Sequence, residues 1–189
     1  MYYWSGEYGV SINTWNSSKL NTEALNGTFL TNLGTTWTNK IAQTTWYVGG
    51  VNRGNGRLAS AQTAYNYELG NNRTGETYNA KVGMPYLSEY YYGANPTYWT
   101  YPGWDSAEND YRKSAGNNWI LANNLFSYHL LSRVGEAENG VAYVSYIGYI
   151  NEAAAGYNEL YIRPTFNLVS NTKVSSGLGT ESDPYRIVI

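Results

Sequence analysis

The chain of 189 residues has no cysteine, a single histidine (His129), three phenylalanines and two methionines. Without cysteine there are no disulfides, no thiol nucleophile, and no zinc or iron–sulfur centre built on thiolates. A Ser-His-Asp site would have to centre on His129. Charge is sparse as well, at 14% of residues where roughly 25% is usual. The net charge of −2 gives no basic excess, which excludes an electrostatic nucleic-acid binder. No stretch approaches the ~20 apolar residues of a membrane span. No signal-peptide h-region follows Met1. The expectation is no nucleic-acid partner, no membrane insertion, no metal and no cofactor.

What is present is aromatic: 21 Tyr and 7 Trp. Disordered chains are poor in such residues, so this one buries a sizeable core. The rest of the surface is Asn, Thr, Ser, Gly and Tyr, the palette of binding surfaces. Tyr offers a rigid ring and a hydroxyl at low entropy cost, while the small polar residues adapt. Extracellular proteins in general share this palette.

Leu20, Ala24, Leu25, Phe29, Leu30 and Leu33 recur on one helical stripe, and Gly34 ends it. Thr35 or Thr36 caps a second short helix through Trp37, Ile41 and Ala42. Tyr2 to Trp4 and Thr44 to Val48 read as strands, the latter closed by Gly49-Gly50. A helical turn is possible from Ser60, and residues 78–87 alternate like a strand, with a loop or short helix from Ser88. Residues 93–118 form an excursion with little regular structure, and Trp119-Ile-Leu is a buried strand by composition. Residues 125–134, 140–150 and 159–169 read as three antiparallel strands. A turn at Gly177 to Pro184 precedes a last strand over 185–189. Two early helices followed by many short strands, without crossover helices, predict an α+β fold with a mostly antiparallel sheet. The expected unit is a single domain over 1–189, with trimming from a longer secreted or surface protein left open.

Several stretches occur together and in order along nearly the whole chain. They are Leu25-Asn-Gly-Thr-Phe-Leu, Trp37-Thr-Asn-Lys-Ile-Ala, Thr45-Trp-Tyr-Val-Gly-Gly, Ala80-Lys-Val-Gly-Met with Ser88-Glu-Tyr, Asn117-Asn-Trp-Ile, Ile162-Arg-Pro-Thr-Phe-Asn-Leu and Gly179-Thr-Glu-Ser-Asp-Pro-Tyr. The series resembles a domain of surface-exposed and phage-associated proteins of gut Gram-positive bacteria, similar to the C-type lectin fold. The resemblance implies two helices flanking small antiparallel sheets and a ligand-facing side made by late strands and loops. It also implies a position on the bacterial surface or a phage particle, outside the cell. C-type-lectin-like domains display the variable residues of diversity-generating retroelements. Residues 139–161, rich in the residues such mutagenesis produces and running into Ile162-Arg-Pro, are the matching stretch. An exposed sheet face accounts for the same composition. The sequence departs from sugar-binding lectins: it has no Glu-Pro-Asn or Gln-Pro-Asp triplet, and Asn117-Asn-Trp is not the Trp-Asn-Asp calcium motif. The sulfatase-activating relatives of the fold rely on cysteines that are missing here, so no enzyme is expected.

The candidate ligand-binding residues are Tyr143, Ser145, Tyr146, Tyr149, Asn151, Tyr157, Asn158 and Tyr161. Strand alternation puts Val141, Tyr143, Ser145, Ile147 and Tyr149 on one side and Ala142, Val144, Tyr146 and Ile150 on the other. Either ring set can stack on a sugar or enter a protein partner, or pack into the core. In a second aromatic group, Tyr90 to Tyr92 with Tyr98, Trp99, Tyr101 and Trp104, two or three rings pin a long loop to the core, and the rest either pin it too or form an aromatic platform for glycan. Asp105, Glu108, Asn109 and Asp110 lack the pattern of a calcium loop and suit a helix N-terminus. The pairs Glu136/Glu138 and Glu152/Glu159 lie in turns where exposed charge is ordinary, and His129 reads as a satisfied sheet histidine. The resulting expectation is a binding domain for a protein or glycan receptor. The rival is a structural spacer or assembly module of a surface protein or phage fibre.

Overall fold

The computed structural model describes residues 4, 13–51, 53–54, 57–58, 60–73, 75–98, 116–121, 126–135, 139–157, 159–180 and 182–188. The expected strand at Tyr2 and Tyr3, the acidic cluster from Asp105 to Asp110, and Trp99, Tyr101, Trp104, Glu136, Glu138 and Asn158 lie outside them.

The helical stripe from Leu20 forms a π-wound helix, Leu20–Phe29, continued by α1, Leu30–Thr38. Its apolar residues are four and five apart, a spacing that suits i→i+5 bonding better than a 3.6-residue turn. Leu20, Ala24 and Leu25 are buried on that face. Gly34 breaks α1 at φ 76°, where a residue with a Cβ is strained, so the expected division at this glycine holds. The second segment, however, ends at Thr38 instead of reaching Ile41 and Ala42, and Ile41 bridges Leu168. Asn26 docks the π-wound helix onto the sheet. Its Nδ2 donates to the Val82 carbonyl at 2.9 Å and its Oδ1 accepts from the Val82 N–H at 3.0 Å, as a neighbouring strand would.

Strand β1 (Thr44–Val48) pairs antiparallel with β5 (Glu76–Ala80). Short strands β2 (Gly50–Val51), β3 (Arg53–Gly54) and β4 (Arg57–Leu58) follow β1, with β3 and β4 forming a hairpin. Helix α2 (Ala61–Glu68) starts at Ser60, whose side chain accepts from the Thr63 N–H. Strand β6 (Val82–Gly83) leads to helix α3 (Leu87–Tyr92). The expected strand over 78–87 is thus two strands and the entry to a helix, because the buried Met84, Pro85 and Tyr86 break the ladder.

The principal sheet has the order β2-β7-β8-β9, with β7 (Tyr128–Val134), β8 (Gly140–Val144) and β9 (Ile150–Ala154) antiparallel in turn and β2 parallel to β7. One face carries Tyr128, Leu130, Val134, Ala142, Val144 and Ile150 against α2 and α3. The other carries Leu131 and Val141 against the π-wound helix, β1 and the Trp4–Trp15 pair. A sheet covered on both faces explains why its central strands read as apolar runs with little alternation.

Three expectations for the late chain are corrected. Residues 140–150 are not one strand: a turn at 145–149, with Gly148 at φ 91°, separates β8 from β9. Trp119-Ile-Leu is a turn in which Ile120 is buried, Leu121 packs partly against the core and Trp119 is left 77% exposed. Within 159–169 the only strand is β10 (Thr165–Phe166), which pairs with β6. The last strand is shorter than expected: β12 (Arg186–Ile187) pairs with β11 (Val174–Ser176). The architecture is α+β.

Candidate functional site

The β8–β9 hairpin and the chain that follows it bring the candidate tyrosines together. Tyr143 is the one residue of β8 that is not buried, and Asn151 of β9 is its cross-strand partner. The Tyr143 ring meets Tyr149 edge-on, with centroids 6.4 Å apart. Its phenol is held up at about 12, first by burial, then by its hydrogen bond and proximity to Tyr149, with a hydrogen bond from Asn151 opposing. At neutral pH it is therefore a hydroxyl, able to donate as well as accept.

Beside it opens a cavity of about 400 Å³, lined by Ser127, Tyr143, Glu152, Tyr157, Glu159 and Leu160 together with Ala153 and Ala154. Tyr157 is 42% exposed, and its hydroxyl donates to Glu159 Oε2 at 2.6 Å. That bond raises the phenol's pKa, since the neighbouring carboxylate holds the proton in place. Ser127 ties two more rings to this edge. Its Oγ accepts the Tyr146 N–H at 3.0 Å and its carbonyl accepts the Tyr161 N–H at 2.9 Å. Tyr146 and Tyr161 are 52% and 55% exposed, and Tyr161 stacks on Phe126 with centroids 4.2 Å apart.

Of the eight candidates, Tyr143, Tyr149, Asn151 and Tyr157 form one group, with Tyr146 and Tyr161 at its margin. Ser145 is corrected: it is buried, and its main chain and hydroxyl close the turn through Tyr149, Gly148 and Ile147. A hydroxyl spent on turn geometry is not presented to a ligand. Glu152 and Glu159, set aside from sequence as ordinary turn charges, share the cavity. Sequence spacing carried no sign of this, because the hairpin and the following turn bring them together. Ser127 and Phe126 were missed for the same reason. Tyr90, read as a loop pin, anchors the site from α3: its buried hydroxyl donates to the Gly148 carbonyl at 2.8 Å, fixing the turn that carries Tyr146 and Tyr149.

His129 is corrected as well. It is a buried sheet histidine, but among the described residues its ring nitrogens make no well-formed hydrogen bond, only a looser contact with the Tyr157 main chain. Burial pulls its pKa down to about 4, opposed only by the Tyr157 main chain, so the ring is neutral. A neutral ring sealed in the sheet does not serve as a base for the cavity.

Among the described residues the lining holds two carboxylates, of which Glu159 accepts from Tyr157 and Glu152 is already engaged in an interaction of its own. The lining is built to pack flat groups against rings. Among the described residues no group of three or more His, Asp or Glu is placed to hold a metal. No helix of the described residues is long and apolar enough to cross a membrane. No protein-family model, curated protein or solved structure matches the chain.

Proposed function

We propose that the chain is a C-type-lectin-like ligand-binding domain of a bacterial surface protein or phage particle, working outside the cell and performing no chemistry. Its receptor, a protein or a glycan, is held at the edge of the β8–β9 hairpin. The observation that carries this reading is the convergence of Tyr143, Tyr157, Glu152 and Glu159 on one open cavity, with Tyr146 and Tyr161 exposed beside it. Rings provide burial at a few anchor points of the partner.

Diversification by a retroelement fits this arrangement in part. Tyr146, Tyr157 and Tyr161 are exposed and open to substitution, whereas Tyr143 and Tyr149 are half-buried against each other, and Val141, Ala142 and Val144 fill the core and would have to stay apolar. A reverse-transcriptase gene and a near-copy of residues 139–161 in the neighbouring DNA are the expected companions. The alternative, a spacer or assembly module, draws on the C-terminal hairpin, where Leu178 and Tyr185 are exposed. Glycan and protein arrays probed with the native chain and with Tyr157→Ala separate the two readings. A receptor lost in the variant supports the binding domain, and an absence of any receptor supports the spacer.

A further inference from the structure

A second concavity, of about 570 Å³, lies between α2, α3 and the Arg163–Phe166 segment. None of its lining residues lines the tyrosine cavity. Its volume falls in the range of small-molecule clefts, roughly 300–1,000 Å³. We propose that this groove is a binding site for a neutral oligosaccharide, independent of whatever the β8–β9 edge binds.

The groove combines two kinds of surface that a sugar ring needs. The first is flat and apolar. Trp119 stands on a turn with 77% of its surface exposed. This is the opposite of what a large indole does without a partner. Tyr65 of α2 and Tyr92 of α3 meet edge-on at 6.1 Å, and Tyr65 is itself exposed. The pyranose C–H face packs against such rings as other apolar groups do.

The second surface is polar and sparse. Glu89 Oε2 accepts the Tyr86 N–H at 2.9 Å and so caps α3, while no hydrogen bond from another described residue engages Oε1. Burial raises the Glu89 pKa against the opposing hydrogen bond from the Tyr86 N–H, consistent with a carboxyl that faces a poorly hydrated groove. Arg163 donates through one guanidinium nitrogen to the Ile120 carbonyl and lies 5.4 Å over the Tyr128 ring. Those contacts fix the planar head, and its remaining N–H groups make no other hydrogen bond to the described residues. One acceptor and one donor fork on opposite charges give no net attraction for a phosphate or a polycation. They match the mixed donors and acceptors of sugar hydroxyls.

Trp119 and Glu89 make the proposal testable, because neither substitution opens the core. The native chain is titrated with cellohexaose, chitohexaose, mannohexaose and galactohexaose, followed by calorimetry and by the indole N–H resonances. The Trp119 resonance is assigned with Trp119→Phe. At least one sugar is expected to move that resonance. Trp119→Ala is expected to weaken its binding about tenfold or more, and Glu89→Gln several-fold, with Tm nearly unchanged. Tyr157→Ala serves as the control and leaves this binding intact. The proposal is overturned if none of the four sugars binds up to about 10 mM. It is also overturned if Trp119→Ala binds as the native chain does, if Tyr157→Ala alone abolishes binding, or if a proline-rich peptide binds at Trp119 while the sugars do not.

Discussion

His129 and Tyr143 are cross-strand partners on β7 and β8, yet one is sealed in the sheet and the other lines an open cavity. The antiparallel ladder directs both side chains to the same face, and the length of chain covering that face decides which one solvent reaches. The candidate site is therefore the edge of a core, and its rings differ in how much of the fold they support.

That difference gives the first prediction. Tyr157→Ala and Tyr146→Ala remove exposed rings and are expected to change stability by no more than about 0.5 kcal/mol. Tyr143→Ala, which removes a half-buried ring and its contacts with Tyr149 and Asn151, is expected to cost about 1–3 kcal/mol. Receptor binding falls tenfold or more for Tyr157→Ala. Urea midpoints and binding isotherms measured on the same samples check both halves. A Tyr157→Ala variant destabilised as much as Tyr143→Ala would place that ring in the core.

Two buried titrating groups act in opposite directions over one pH window. Glu68, at the end of α2, accepts from the Leu87 and Ser88 N–H groups at 3.1 and 2.9 Å and from the Ser132 hydroxyl. Burial nonetheless raises its pKa from 4.5 to about 7. The native state holds that proton to higher pH than the unfolded chain does. Its contribution is complete below about pH 4.5 and is lost as pH rises to about 7. His129 is lowered from 6.5 to about 4, so its contribution is complete above about pH 6.5 and is lost as pH falls to about 4. Relative to the native chain, Glu68→Gln is expected to lose stability between about pH 7 and pH 5, and His129→Phe to gain it. Urea unfolding of the three proteins at both pH values is the measurement. Identical pH slopes would show that neither group titrates as its burial implies.

Gly83 is expected to accept no side chain. A Cβ there would come within 2.7 Å of the Trp46 ring, which is held in place by its Nε1 donating to the Ala80 carbonyl at 3.1 Å. Gly83→Ala should therefore cost about 1–3 kcal/mol by overpacking. The lowering of the thermal midpoint should be matched by altered Trp fluorescence.

Asn26 should be replaceable only at a cost. Asn26→Ala leaves the Val82 N–H and carbonyl without their side-chain partner in a half-buried place, an expected loss of about 1–3 kcal/mol. Asn26→Asp keeps the acceptor for Val82 N–H but sets a carboxylate against the Val82 carbonyl, so it should be no better than Ala. Denaturant midpoints rank the two. If Asn26→Ala unfolds at the native midpoint, the amide docking contributes nothing.

Local patterns in the sequence were legible because local physics makes them. The break at Gly34, the helical turn from Ser60, the strand at Thr44 to Val48 and the turn before the last strand each follow from backbone preference or side-chain capping within a few residues. Strand β11 as the partner of that last strand was not expected. The turn at 145–149 was not legible. Ser145, Tyr146 and Ile147 suit a strand, and Gly148 alone marks the bend, so only the pairing of β8 with β9 decides it. Trp119 misled for a related reason, since a large apolar residue signals burial, yet the turn that carries it leaves it exposed.

The sequence by itself determined the chemical range of this protein: no thiol chemistry, one histidine, little charge, and an abundance of tyrosine with no single obvious place for it. Tertiary structure decided which tyrosines face solvent. Tyr90 went inward to hold a turn, Tyr143 and Tyr157 went to a cavity with Glu152 and Glu159, and Tyr65 and Tyr92 went to a separate groove beside Trp119. Composition counts rings, but burial depends on contacts between residues far apart in the chain, and no local pattern encodes those contacts.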